Sequence, residues 1–209
     1  CLLASFLFYL RAQREGRRID LCGSAVLFLV ALLSKETAAM FPFILLIYDY
    51  SIGKTRVGCV DRRSRYLLFL IAGVAWFGLR SYALHGVAPL RQYEYRNLPL
   101  YELAINAVVL FSRYLGTLVL PLTLNAFHAF HRVASVLSPT GMFSVVVMFA
   151  FVTSCVVVTR QRSMVLVGMA LIALPLMPVL YIPVLAENVF AERYLYFPSV
   201  GLSVLLGLG

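Results

Sequence analysis

Charge is scarce in this chain, and acid is scarcest. Only 13% of the 209 residues are charged, with 9 Asp and Glu against 18 Lys and Arg. The four cysteines, Cys1, Cys22, Cys59 and Cys155, form no C-x-x-C pair and sit in or beside apolar segments or on a basic loop. That excludes a zinc ribbon and a disulfide framework, and the cysteines read as small apolar residues. There is no Gly-rich phosphate loop, no H-E-x-x-H and no nucleophile elbow, so three common catalytic designs are absent. Internal repeats, low-complexity tracts and a soluble domain are lacking too. His128 and His131 stand three apart, a spacing that can ligate a metal on a helix. No third ligand has a fitting spacing, so neither a metal nor a cofactor is expected.

What the chain has in abundance is apolar sequence, at 62%. Several apolar runs are separated by short charged segments, which predicts an all-α, polytopic transmembrane helical bundle. The chain opens at Cys1 inside one run (Leu2 to Leu10) and stops at Gly209 inside another (Val200 to Leu208). It reads as an internal fragment, with residues 1–209 forming part of a single transmembrane domain. The net charge of +9 does not point to nucleic acid. Eleven of the eighteen basic residues lie in three short loops between apolar runs, the pattern that marks cytoplasmic loops.

The loops order the runs. Arg11 to Arg18 and Lys54 to Arg65 are both basic and belong on the cytoplasmic side. The segment from Asp20 to Asp49 between them is then a helical hairpin with Ser34-Lys35-Glu36 at its far apex. Tyr66 to Leu84 leads outward, with Arg80 near its outer end, and His85 to Glu102 is a polar external loop. The run Leu103 to Leu124 carries Arg113 in its middle and Pro121 near its end. If it spanned, Arg160 and Arg162 would end up outside, against the charge rule. The reading that keeps them inside is a re-entrant or interfacial pair of helices broken near Arg113. Ser163 to Pro183 spans outward, and Pro175, Pro178 and Pro183 should kink or unwind its outer end. Tyr194 to Leu208 returns inward.

The stretch from Glu187 to Gly201 is the most polar part of this outer face. Carboxylates, an arginine and tyrosines at a bilayer boundary are costly unless they pair or bind something. Arg193 offers a planar fork matched to phosphate oxygens, and Lys35 a mobile point charge. Both are candidates for binding a lipid phosphate, against the plainer reading of interfacial charges and internal ion pairs. Glu36, Arg80, Glu187, Glu192, Tyr194, Tyr196 and His128 are candidate supports. Glu36 would pair with Lys35 or with an arginine across the site. Tyr194 and Tyr196 are two apart and do not share a helical face, so one would anchor at the interface and the other point at the site. Gly201 suits close helix packing.

These residues also resemble a family. Ser34-Lys35-Glu36 and the apolar arm down to Tyr48-Asp49 look like the S/C-K-E hairpin of polytopic GT-C type glycosyltransferases. The nearest resemblance is to the transmembrane and tetratricopeptide-repeat O-mannosyltransferases and their bacterial relatives. Ala191-Glu192-Arg193-Tyr194-Leu195-Tyr196-Phe197-Pro198-Ser199-Val200-Gly201 is similar to the signature A-E-R-x-L-Y-x-P-S-x-G. Arg96-Asn97-Leu98-Pro99 and Leu120-Pro121 to Leu124-Asn125 resemble the external loop and the L-P-x-x-L segment between them. One departure is Asn125-Ala126-Phe127-His128, where many members carry an aspartate.

The resemblance implies a membrane enzyme of the bacterial inner membrane or the endoplasmic reticulum. It would pass a sugar, mannose-like, from a polyprenyl- or dolichyl-phosphate carrier to a protein or glycan acceptor on the non-cytoplasmic side. It also implies a catalytic acid upstream of Cys1 and tetratricopeptide repeats after Gly209. The alternatives are a transporter or flippase of a lipid-linked sugar, which would need the same cationic site and broken helices, and a non-enzymatic membrane scaffold.

Overall fold

A computed structural model describes residues 1–51, 62–83, 99–121, 130–159, 163–180 and 190–208. Among them every regular element is helical and there is no strand. Three helices are long and apolar enough to cross a membrane: α4 (Arg62–Ala83), α5 (Leu100–Val119) and α6 (Pro139–Thr159). The chain divides into two compact units, Cys1–Pro89 and Leu90–Gly209.

The first unit begins with an antiparallel pair, α1 (Leu2–Glu15) and α2 (Arg18–Ser34). Gly16 turns the corner in the left-handed region (φ 69°), where its N–H caps the Ala12 carbonyl at 3.0 Å. The two helices meet at a pair of buried serines. Ser5 Oγ donates to the Ser24 carbonyl (2.8 Å) and Ser24 Oγ to the Ser5 carbonyl (2.7 Å). Small hydroxyl residues of this kind let apolar helices approach and bond where no water competes.

At Lys35 the backbone becomes extended, a 3-10 turn follows over Glu36–Met40, and α3 (Phe41–Ser51) heads back. Helix α4 then runs the length of the unit. A cluster of rings holds the four helices together. Phe28 of α2 lies 5.8 Å from Phe41 of α3 and 5.4 Å from Phe69 of α4, and Tyr9 of α1 lies 6.0 Å from Phe69.

The second unit contains α5, α6, α7 (Ser163–Leu180), a 3-10 turn at Glu192–Tyr194 and α8 (Tyr196–Leu206). The expected break near Arg113 does not occur. Helix α5 is continuous from Leu100 to Val119 and passes straight through Arg113. Arginine is a good helix former, and its guanidinium is accommodated over the ring of Phe130, 5.4 Å from the centroid. The helix stops where proline requires it, just before Pro121.

The chain then doubles back instead of continuing away. Phe130 lies at Arg113, and Val133 is fastened to Asn106 of α5 on both sides. The Val133 N–H donates to Asn106 Oδ1 (2.9 Å) and Asn106 Nδ2 to the Val133 carbonyl (3.0 Å). A turn at 135–138 leads into α6, whose Ser144 accepts a hydrogen bond from Ser112 at 2.8 Å. Helix α6 therefore starts beside the N-terminal half of α5 and advances in the same direction.

Helices α7 and α8 form an antiparallel pair with two glycines at its crossing. A Cβ added to Gly201 would lie 2.6 Å from the Gly168 carbonyl oxygen, so only glycine permits this approach. The unwinding expected from the prolines is absent over the described part of α7. The helix continues through Pro175 and Pro178 to Leu180, while Pro183 lies outside the described residues.

Candidate functional site

Helix α2 ends at Ser34 because Lys35 leaves the helical region, and this puts Lys35 and Glu36 at one end of the first unit. Arg80, three residues before the end of α4, reaches the same end. Its guanidinium pairs with Glu36 at 2.9 Å and lies over the Trp76 ring, 5.5 Å from the centroid. Of the two partners considered for Glu36, the structure provides the arginine across the site. The pair is open to solvent, with side-chain exposures of 38% for Arg80 and 54% for Glu36. In water such a pair contributes little to stability, so its consequence is the placement of one cation. Lys35 is half-buried beside it.

Below this apex α2, α3 and α4 enclose an apolar groove with a volume of about 850 Å³. Leu32, Ala39, Phe43, Phe69 and Trp76 are among its walls. Leu32 stands one helical turn before Lys35, and Trp76 lies under Arg80, so the groove opens toward the charged apex.

In the second unit the 3-10 turn Glu192–Tyr194 carries Arg193, and the chain enters α8 directly after it. Arg193 is exposed. Its guanidinium lies 5.2 Å over the Tyr194 ring and donates to the Tyr194 hydroxyl at 3.3 Å. Tyr194 is half-buried against Tyr114 of α5 (ring centroids 6.5 Å), whose hydroxyl accepts from the Ala191 N–H at 3.2 Å. The turn is thus anchored from below through Tyr114, with Phe190 packed on the same ring at 4.8 Å. Tyr196, by contrast, is 72% exposed at the start of α8. Glu192 is half-buried. Glu187 and His128 lie outside the described residues.

Two polar clusters were not visible as such in the sequence. The first lies at the other end of the first unit, around the buried carboxylate of Asp49. It accepts from Tyr9 (2.7 Å), Gln13 (2.6 Å) and Tyr66 (2.8 Å), and Arg65 stands 3.4 Å away. Tyr9 and Gln13 are four apart on one helical face, the only local hint of this assembly. The second is at the start of α5. Glu102 is buried and pairs with Arg132 at 3.0 Å, while Tyr101 donates to its other oxygen at 3.0 Å. Together with Asn106 it fixes the returning segment. Among the described residues no three His, Cys, Asp or Glu side chains are grouped closely enough to hold a metal ion.

Compared with protein-family models, curated proteins and solved structures, the chain matches none.

Proposed function

We propose that this chain is part of a membrane glycosyltransferase that uses a polyprenyl- or dolichyl-phosphate sugar as donor. The observation that carries the reading is the charged apex above the apolar groove in the first unit. Glu36 and Arg80 pair next in sequence to Lys35, an arrangement that suits a lipid phosphate, and the groove below suits its hydrocarbon chain. A departing lipid phosphate develops charge that preset cations stabilise. The Glu36 carboxylate holds Arg80 in place for that task, and Lys35 supplies a second ammonium charge. The sugar itself and the acceptor rest on the resemblance of the two motifs alone, as does the part given to Arg193.

The test is sugar transfer from a polyprenyl-phosphate sugar in membranes that carry the protein. Lys35→Ala and Arg193→Ala should each lower transfer by roughly 10²-fold, the usual effect of removing one charge-stabilising donor. Unchanged transfer in both, with the protein inserted and folded, would return these charges to a topological role. Wild-type protein that carries the lipid across the bilayer and transfers no sugar would support the transporter reading.

A further inference from the structure

The groove has a second end, and it differs in chemistry from the apex. Along α4 it runs from Arg63 to Phe77, roughly 21 Å at 1.5 Å per residue. That is longer than half of the about 30 Å hydrocarbon core. Its volume of about 850 Å³ lies within the range of small-molecule sites. A long apolar trough fits a chain better than a compact ligand.

The first turn of α4 reads Arg62-Arg63-Ser64-Arg65. Arg65 is committed to Asp49 and to the hydroxyl of Tyr9. The Tyr66 hydroxyl is committed to Asp49 as well. Arg63 is different: it lines the groove, is exposed, and makes no ion pair with any described residue. The nearby acid, Asp49, is already saturated by the donors around it. Among the described residues, then, no acid compensates Arg63 at the mouth of this apolar trough. At the opposite end Arg80 is paired with Glu36.

We propose that the groove holds an acyl chain of an anionic membrane phospholipid, with its phosphate on the Arg63 guanidinium. The planar fork of arginine matches phosphate oxygens, and basic residues beside apolar surface attract anionic lipids. This phospholipid would compete with the carrier chain of the proposed function for the same groove, entering from the opposite end, so polyprenyl phosphate belongs in the test.

Two residues make it testable. Trp76, the one tryptophan in the chain, lines the groove. Gly73 also lines it, and a Cβ added there would meet nothing within 4 Å. A larger residue at 73 would fill the groove without straining the helix. The protein is reconstituted in phosphatidylcholine vesicles containing either phosphatidylglycerol or phosphatidylcholine brominated near the methyl end of the chains, and Trp76 quenching is read.

Phosphatidylglycerol should quench at about fivefold lower mole fraction. Arg63→Ala should abolish that preference, Arg63→Lys should keep part of it, and Arg17→Ala, which does not line the groove, should leave it intact. Gly73→Leu should reduce quenching by both lipids. Equal quenching by the two lipids in the wild type would overturn the proposal, as would a preference that survives Arg63→Ala. Quenching unaffected by Gly73→Leu would also overturn it, since the quenching lipid would then lie outside the groove. Displacement by polyprenyl phosphate that ignores Arg63 would assign the groove to that lipid instead.

Discussion

Asp49 shows how one side chain can hold an end of a membrane unit together. Its carboxylate is buried, and its donors come from α1 and α4. Breaking a buried pair by removing one partner leaves the other charge stranded, at about 3–5 kcal/mol. Asp49→Asn should therefore lower the thermal unfolding temperature in detergent markedly, and Asp49→Asn with Arg65→Met should recover part of the loss. A double variant no more stable than the single one would mean that Arg65 is not what Asp49 compensates. Glu36 behaves differently because it is exposed. Glu36→Gln should cost no more than about 1 kcal/mol of stability. On the proposed function it should still depress sugar transfer, since Arg80 would lose the group that positions it. Equal, small effects on both measurements would make the pair a surface ornament.

At the scale of elements, two close contacts decide how the second unit is built. The α7–α8 crossing has backbone against backbone at Gly168 and Gly201, and a carbonyl oxygen cannot move aside as a side-chain tip can. Gly201→Val should destabilise by about 1–3 kcal/mol through overpacking. Gly116→Ala, with open space around the new Cβ, should be neutral or slightly stabilising. The returning segment hangs on Asn106. Asn106→Ala removes the partners of the Val133 N–H and carbonyl, which costs about 1–3 kcal/mol locally. Amide exchange at Val133 should speed up by about tenfold or more, with α7 unaffected. Exchange unchanged at Val133 would show that the segment is held elsewhere.

This element was the one the sequence described least well. Arg113 in an apolar run suggested a break, because charge inside a membrane is costly. A helix, however, keeps its backbone bonds whatever its side chains do, and an arginine can solve its problem through its own side chain. The stacking partner, Phe130, lies 17 positions further on (130 − 113) and nothing local announces it. The extended apex at Lys35, by contrast, was legible, because Ser-Lys-Glu between two apolar runs marks a helix end by composition alone.

At the scale of the whole molecule the remaining question is sidedness. The charge rule predicts the Arg11–Arg18 end in the cytoplasm and the Lys35 apex outside. Since α6 starts beside the start of α5, the chain can enter α6 from the side on which α5 began. By the same rule Arg160 and Arg162 are expected on the cytoplasmic side and Arg193 on the other. In a background lacking the native cysteines, Glu36→Cys and Arg193→Cys should be labelled by an impermeant reagent from the non-cytoplasmic side, and Arg17→Cys only from the cytoplasmic side. Labelling of Arg193→Cys together with Arg17→Cys would mean that α5 crosses and that the charge rule is broken at Arg160.

The sequence alone determined the helical class, the apolar runs and the helix end at the charged apex. Each of these depends on quantities that add up along a few neighbouring residues: hydropathy, loop charge and the helix-ending residues. Tertiary structure alone decided which charges are partnered, where the chain doubles back and that a groove exists. Those depend on distances between residues far apart in the chain. Asp49 meets Tyr9, Gln13, Arg65 and Tyr66 only because three helices bring them to one end. A lone acid near an apolar run costs too much to stay unpaired, but the sequence states only that need, and packing supplies the partner.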